Sequence, residues 1–96
     1  VELPIVDSAT TAAAYADAWL EASTYEETNR AEVRRQGRDW ERLDLVEAGS
    51  GDKFRAWIAV DGGTAMVLSC GAPADRWSDA RQIADIIYAS FDLLAP

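Results

Sequence analysis

The first quarter of the chain has polar and apolar positions that predict a short strand followed by a helix. Residues 3–6 are largely apolar, and Pro4 places such a strand at an edge or a strand end, because proline cannot donate to a ladder. Asp7 or Ser8 offers an N-cap for a helix that we expect to run to about Ser23. Steps of three and four residues give this helix one apolar face: Ala12, Tyr15, Ala16, Trp19, Leu20 and Ala22.

The centre of the chain changes to a pattern typical of strands. Residues 23–29 are polar and predict a loop. Residues 30–35 have a weak alternation that indicates a strand, and residues 36–38 predict the turn after it. Residues 40–48 predict a further strand, because apolar and charged side chains alternate along much of it.

Two hairpin turns follow, and they are clearer signals. Residues 49–52 form a Gly-Ser-Gly-Asp turn cluster, and residues 61–63 form an Asp-Gly-Gly turn between two apolar runs. Residues 53–60 alternate between these turns as expected for a strand. Residues 64–70 are nearly all apolar, which predicts a central strand buried on both faces. Together these segments predict an antiparallel meander.

The last quarter predicts a second helix. Gly71 and Pro73 end the sheet, and either Asp75 or Ser78 caps a helix that ends near Asp92. We expect one apolar face of this helix to pack on the sheet, with Ile83 and Ile86 widening it: Trp77, Ala80, Ala84, Ile87, Phe91 and Leu94.

The order of these elements defines the expected fold class. Strand, helix, three or four antiparallel strands and a final helix give the order β-α-β-β-β-(β)-α. We therefore predict an α+β domain in which a meander of three to five strands packs against two helices. At 96 residues the chain is expected to form a single domain, 1–96.

Charge is distributed unevenly along the chain. The net charge is −8, from 17 acidic and nine basic residues. Residues 30–42 hold five basic and three acidic side chains, or +2, so the remainder holds four basic and 14 acidic side chains, or −10. Nucleic-acid phosphate and anionic membranes both attract cations, so this balance argues against them as main partners. It favours a protein partner that is basic or of mixed charge.

Composition and targeting signals leave the compartment open. No apolar stretch approaches the roughly 20 residues that a membrane-spanning helix needs, and no signal peptide is evident. Eight of the nine cations are arginine and 18 residues are alanine, which favours a bacterial source. The chain begins at Val1 rather than Met. Both the bacterial cytoplasm and an extracytoplasmic location, reached after removal of a targeting segment, stay open.

The sequence lacks the residues that most kinds of catalytic site require. The sequence has no histidine, which removes histidine-based nucleophilic sites and the common zinc sites. Its one cysteine, Cys70, is expected to be a small buried residue. No glycine-rich phosphate loop precedes a helix, and no metal or cofactor is expected. A carboxylate pair is the remaining option, but with 17 acidic residues a solvated surface is the favoured interpretation of its candidates: Glu26, Glu27, Asp39, Glu41 and Asp44. We therefore predict that the protein is not an enzyme.

An arginine cluster is the most suggestive local feature. Arg34, Arg38 and Arg42 could form a patch that binds an anion or carboxylate, because guanidinium groups suit bidentate recognition. Trp40 lies among them, and tryptophan with arginine is typical of interface anchors. These four residues are the candidate interface. The alternative is a solvated strand edge in which the arginines balance nearby acids and Trp40 is core.

The second half resembles the C-terminal part of the PsbP/DcrB-like superfamily. The resemblance rests on a strand GTAMVLSC at residues 63–70, a linker APADRW at 72–77 and a final helix ending IIYASF at 86–91. Family members usually begin with an additional β-hairpin, which this sequence lacks, so the chain is expected to be a piece of a longer protein or a minimal variant. The resemblance implies a non-enzymatic role, as an assembly subunit, adaptor, chaperone or lipoprotein domain. It transfers no site residues.

Three functional interpretations therefore stay open. The leading one is a protein-binding or assembly module whose open sheet face or edge accepts a partner, with homo-oligomers allowed. The second is a small acidic inhibitor or immunity protein that blocks a basic partner protein. The third is an enzyme that uses a carboxylate pair, and a carrier of a small ligand, with a cleft lined by Tyr15, Trp19 and Trp57, is a further alternative.

Overall fold

The computed structural model describes Ile5 and residues 10–35, 37–61 and 63–90. Four strands form one antiparallel sheet in the order β1-β2-β3-β4. The predicted α+β class and the meander are confirmed. The elements in chain order are α1 (Ala12–Glu21), β1 (Tyr25–Arg35), β2 (Arg38–Glu47), β3 (Lys53–Asp61), β4 (Thr64–Ala72), a 3-10 turn (Ala74–Arg76) and α2 (Trp77–Ser90).

The described elements begin with α1 rather than with the predicted strand at residues 3–6. Of that segment only Ile5 is described, and it forms an isolated antiparallel bridge with Thr64 at the start of β4. The rest of the predicted strand lies outside the described residues, as do the proposed caps Asp7 and Ser8. The order shown by the structure is therefore α1, four strands and α2.

Helix α1 is shorter than predicted, because side-chain hydroxyls end it on both sides. Thr11 has extended backbone geometry, and its Oγ1 accepts a hydrogen bond from the Ala14 N–H at 3.1 Å. At the other end, the Ser23 hydroxyl donates to the Leu20 carbonyl at 2.7 Å and accepts from the Tyr25 N–H at 3.1 Å. Ser23 thus closes the helix and starts β1 within two residues.

The prediction of a loop over residues 23–29 is wrong from Tyr25 onward. Those residues belong to β1, an outer strand of the described sheet whose side chains are mostly exposed. An exposed strand does not need apolar alternation, because its backbone pairing with β2 does not depend on side-chain burial. An irregularity between Glu27 and Asn29 also shifts the register, so the alternation changes phase in the middle of the polar stretch.

Alternation along the strands sends two hydrophobic clusters to opposite faces of the sheet. Helix α1 packs on one face, here called the α1 face, where its Ala16 joins a cluster of sheet residues: Leu43, Leu45, Ala56, Ile58 and Val67. Helix α2 packs on the other, the α2 face, against a cluster of Trp40, Trp57, Ala59, Met66, Leu68 and Ala84. The domain thus has three layers, with the sheet between the two helices.

Strand β4 is buried on both faces as predicted, but it is not central. It stands last in the described strand order, and β3 lies inside it. Val67 joins the α1-face cluster, whereas Met66 and Leu68 join the α2-face cluster. The apolar run of β4 is therefore explained by the burial of its side chains in a cluster on each face of the sheet, and β4 needs no neighbouring strand on both edges.

The predicted packing face of α2 agrees with the structure at Trp77, Ala80 and Ala84, which are buried or partly buried, and is wrong at the isoleucines. Ala84 is fully buried, but Ile83, Ile86 and Ile87 are 58%, 66% and 43% exposed. The face that meets the sheet instead carries Tyr88, which packs against the α2-face cluster. Phe91 and Leu94, the remaining members of the predicted face, lie outside the described residues.

The start of α2 also differs from the prediction. Pro73 opens the 3-10 turn, and the Arg76 N–H donates to the Pro73 carbonyl at 2.9 Å. The helix continues directly from this turn at Trp77. Asp75 lies inside the 3-10 turn and Ser78 lies inside the helix, so neither stands at the position immediately before the helix.

Gly71 is a packing requirement of the sheet. It lies opposite Phe54 across the β3–β4 ladder, and a Cβ at this position would overlap the ring of Phe54. The ring uses that space while it contacts Tyr25 at 4.8 Å between ring centroids. Because Gly71 has no side chain, the Phe54 ring has room to pack against Tyr25 on the α1 face.

We expect Gly71→Ala to lower the free energy of unfolding by about 2 kcal/mol, because the ring must move out of an overpacked site. Gly49→Ala is the matched control, since a Cβ there meets nothing within 4 Å, and it should change stability by less than about 0.5 kcal/mol. Chemical denaturation of both variants measures the difference. Equal effects would contradict the packing role of Gly71.

Candidate interaction surface

The antiparallel register sorts charged strand residues onto the two faces of the sheet. Carboxylates predominate among the charged strand side chains of the α1 face: Glu27, Arg30, Glu32, Arg34, Asp39, Glu41 and Glu47. Cations predominate on the α2 face in β2, β3 and the end of β1: Arg35, Arg38, Arg42, Asp44, Lys53, Arg55 and Asp61. The sequence-level charge therefore hides a difference between two surfaces.

Two carboxylates meet directly on the α1 face. Glu41 of β2 lies opposite Glu32 of β1 and is only 5% exposed. Burial raises the pKa of Glu41, and the charge of Glu32 and a side-chain hydrogen bond with it raise it further. Arg30 opposes this shift. The pair is costly in the isolated chain, because like charges directly opposite each other destabilise a sheet.

Arg30 joins α1 to the acidic side of the sheet. Its guanidinium contacts Asp17 of α1 at 2.8 Å and Glu27 of β1 at 2.8 Å. The hydrogen bond to Glu27 is the main reason that the pKa of Arg30 is raised, with burial acting against it. Arg30 is therefore already engaged by two carboxylates and does not neutralise Glu32 and Glu41 fully.

Arg55 is the central charged contact of the α2 face. The residue is 8% exposed; its Nε donates to Asp44 of β2 at 2.6 Å and its Nη1 donates to Asp85 of α2 at 2.8 Å. Burial acts to lower the pKa of Arg55, but the two carboxylates outweigh it and the pKa is raised. For Asp44, burial acts to raise the pKa, and Arg55 reverses this so that the pKa is lowered. Both groups remain charged at neutral pH.

An aromatic stack continues along the α2 face. Tyr88 of α2 lies parallel to Trp57, with 4.7 Å between ring centroids, and meets Trp40 edge-on at 5.5 Å. Arg35 lies 5.3 Å above the Tyr88 ring and also donates a hydrogen bond to the Ala89 carbonyl. Burial raises the pKa of Tyr88, opposed by the charges of Arg35 and Arg42. The stack fixes the C-terminal half of α2 to the sheet.

A cleft opens beside the first turns of α2, with a volume of about 280 Å³. We call it the α2 cleft. Trp77 and Arg81 line it from the helix, and Lys53 and Arg55 line it from β3. Its remaining lining comes from Thr28, Asp44, Leu45, Val46 and Phe54. The cleft therefore combines three cations, one carboxylate and an indole.

The structure separates the members of the predicted interface. Arg34 lies on the α1 face, where it contacts Asp39 at 2.7 Å. Arg38 and Arg42 lie on the α2 face, and Arg38 contacts Asp61 at 2.9 Å. Trp40 is 1% exposed and belongs to the α2-face core, as the alternative interpretation held. The three arginines thus do not form one patch, and a binding role for any of the four stays a prediction.

Arg42 of that set has a buried side-chain nitrogen on the α2 face. Its Nε is buried and has no hydrogen-bond partner within the described part of the chain, and the same is true of the Tyr88 hydroxyl. Arg42 contributes to the lowered pKa of Asp44 and opposes the raised pKa of Tyr88. It therefore links the Arg55 ion pairs to the aromatic stack by charge.

The structure also places Cys70 and the three aromatic residues that were predicted to line a ligand cleft. Burial raises the pKa of the Cys70 thiol, and Cys70 packs against the α2-face cluster, in keeping with a structural residue. Tyr15 and Trp19 pack on the α1 face, whereas Trp57 belongs to the α2 face. These three aromatics therefore do not line one cleft.

Sequence reasoning missed the α2 cleft. Arg81 is distant in sequence from Lys53 and Arg55, and only the packing of α2 across β3 brings it beside them. One signal was present: Arg55 interrupts the otherwise apolar stretch from Phe54 to Val60. A charge at such a position predicts a buried ion pair, because an unpaired buried charge is too costly.

No protein-family model and no curated protein matches this chain. Across residues 10–35, 37–61 and 63–90, no group of three or more Cys, Asp or Glu side chains is arranged to hold a metal ion. The helices within those ranges are too short and too polar to cross a bilayer.

The raised pKa of Glu41 gives a pH-dependent prediction. A carboxyl with a raised folded-state pKa contributes most stability when protonated, and this contribution is lost as pH rises through that pKa. We therefore expect Glu41→Gln to gain stability relative to the unmodified protein as pH rises from about 4 to about 8. Thermal unfolding across this range measures it. Glu26→Gln, at an exposed position, is the control. An equal gain in stability with pH in this control would contradict the prediction.

Asp44 should behave in the opposite sense. Its lowered pKa means that its contribution is present above the unfolded-state pKa and is lost as pH falls through the folded-state value. We expect Asp44→Asn to cost about 2 kcal/mol at neutral pH, because Arg55 loses a charged hydrogen bond, and progressively less under acid conditions. Denaturant titrations at several pH values measure this. A cost independent of pH would show that packing rather than charge explains it.

Proposed function

We propose that this chain is a non-enzymatic protein-binding or assembly module that engages a basic or mixed-charge partner through the acidic side of the α1 face. The observation that carries the proposal is the Glu32–Glu41 pair. Residues that lower the stability of a free domain are often retained for function.

The pair is suited to receive a cation. Glu41 is buried and stays next to Glu32, whereas Glu32 is exposed and accessible. A lysine or arginine from a partner would relieve the repulsion between the two carboxylates and complete their hydrogen bonding. Such complementarity contributes to specificity and to the association rate more than to affinity alone.

Neighbouring acids extend this surface beyond a single pair. The side chains of Asp17 and Asp39 are each 71% exposed, and both belong to the α1 side of the domain. Their arginine partners, Arg30 and Arg34, hold them in defined positions. The surface thus presents ordered carboxylates, with arginines that can pair with acids on a partner of mixed charge.

An assembly subunit and an inhibitor of a basic protein would both use this surface. The identity of the partner separates them: a structural component of a complex supports assembly, and a basic enzyme whose activity stops on binding supports inhibition. The proposal assigns no catalytic residue.

The test is capture of binding proteins from the source lysate, followed by kinetics with the purified partner. We expect the association rate to fall at least about tenfold between low and high salt, because long-range attraction is screened. Glu32→Gln combined with Glu41→Gln should lower the association rate by a similar order at low salt.

Glu26→Gln combined with Asp79→Asn is the matched control, because it removes the same charge from exposed positions outside this surface. It should leave association within about twofold of the unmodified protein. Binding that ignores salt, or that falls equally in the two double variants, would rule out the acidic surface as the docking site.

A further inference from the structure

We propose that the α2 cleft is a second binding site, which takes a carboxylate group of a small acid or of an acidic peptide. The cleft lies on the opposite face of the sheet from the Glu32–Glu41 pair, so this inference does not rest on the proposed function. Four properties of the cleft support it: the cations that line it, the N–H donors of Arg55, its net charge and its volume.

Two of the cations in the cleft are not neutralised by neighbouring acids. Lys53 and Arg81 are exposed side chains that make no ion pair with any residue the structure describes. Four of the eight described arginines are ion-paired: Arg30, Arg34, Arg38 and Arg55. In a chain with 17 acidic and nine basic residues, two cations outside these ion pairs thus lie on one cleft.

Arg55 supplies a rigid donor at the same place. Its Nε and Nη1 are held by Asp44 and Asp85, and its side chain is 9% exposed. The Nη2 group makes no hydrogen bond to a described residue, and Arg55 is one of the residues that line the cleft. A guanidinium already fixed by two carboxylates loses little freedom when it binds a third, which favours affinity.

The charge of the cleft matches a monoanion. Lys53, Arg55 and Arg81 line the cleft with three positive charges and Asp44 lines it with one negative charge; Asp85 does not line the cleft but pairs with Arg55 from α2, so these five groups together carry +1. A carboxylate neutralises this charge. A dianionic phosphate would instead leave one excess negative charge close to the two aspartates.

The size and the wall of the cleft restrict the rest of the ligand. A volume of about 280 Å³ lies just below the range for small-molecule sites, about 300–1,000 Å³, so only a small ligand fits. The Trp77 side chain lines it and offers an apolar, aromatic contact beside the cations. The ligand class is therefore a carboxylate with a small apolar or aromatic part. A free acid and an acidic peptide end present this same chemistry.

Titration of the full chain with sodium benzoate, followed by NMR, tests the site. We expect the Trp77 indole N–H, the Arg55 Nε–H and the Lys53 and Arg81 amides to shift together, with a dissociation constant on the order of millimolar. Benzamide, a neutral probe of nearly the same shape, should bind at least about tenfold more weakly, because it lacks the charge. Equal binding of both probes, or no shift of these signals, would overturn the proposal.

Variants separate a local site from general charge attraction. Arg81→Gln and Lys53→Gln should each weaken benzoate binding about threefold, and the double variant about tenfold, because exposed cations contribute modestly. Arg76→Gln removes one exposed cation that does not line the cleft, and it should change binding less than about 1.5-fold. A loss with Arg76→Gln as large as with Arg81→Gln would overturn the proposal.

Two further probes distinguish the sources of the carboxylate. A short peptide ending in phenylalanine with a free C-terminus, compared with its amidated form, reports on a peptide ligand. Preference for the free peptide over benzoate supports a peptide terminus, and preference for benzoate supports a small acid. Inorganic phosphate that binds more tightly than either would overturn the carboxylate assignment. None of these results depends on Glu32 or Glu41, so failure here leaves the acidic surface to be judged separately.

Discussion

The two ion pairs of Arg55 hold three elements of this domain in one arrangement. Arg55 stands on β3, its carboxylate partners stand on β2 and α2, and the guanidinium is almost completely covered. Asp44 already pairs with this buried cation from β2, and an orientation of α2 that points Asp85 at Arg55 adds a second carboxylate. The observed rotation of the helix about its own axis is the one that makes this contact.

Several features of the α2 face follow from this rotation. Tyr88 lies three residues after Asp85, on the same side of the helix, and it reaches Trp57 and Trp40 in the sheet. The isoleucines at 83, 86 and 87 turn toward solvent instead. Trp77 and Arg81, earlier in the helix, come to stand beside Lys53 and Arg55 and enclose the α2 cleft. The observed orientation of α2 thus combines the Arg55–Asp85 contact with the burial of Ala84 and the stacking of Tyr88 on Trp57.

The sheet itself explains why an acidic chain carries a cationic surface. Successive side chains of a strand point to opposite faces, and the antiparallel register aligns those of neighbouring strands. Glu32 and Glu41 therefore meet on one face, and Arg42, Asp44 and Arg55 cluster on the other. Net charge describes neither surface. Each face has its own electrostatic character and its own candidate binding chemistry.

How far the sequence could predict the fold depends on whether a signal is local. The hairpin turns, the strand at residues 53–61 and both helices follow from turn chemistry and periodicity, which neighbouring residues determine. The beginning of β1 was missed because exposed strands do not need apolar alternation, and a register shift after Glu27 changes its phase. Of the candidate site residues, Trp40 could not be placed in the core rather than at an interface until the packing of Tyr88 was known.

The sequence by itself determined the α+β class, the meander and the absence of histidine chemistry, because these depend on residue types and short-range patterns. Only the tertiary structure decided which face each helix covers, how α2 is rotated and which charges become neighbours. The physical reason is that Arg55–Asp85 and the grouping of Lys53 with Arg81 join residues about 30 positions apart in the chain, whose proximity comes from folding. No local pattern encodes such pairs.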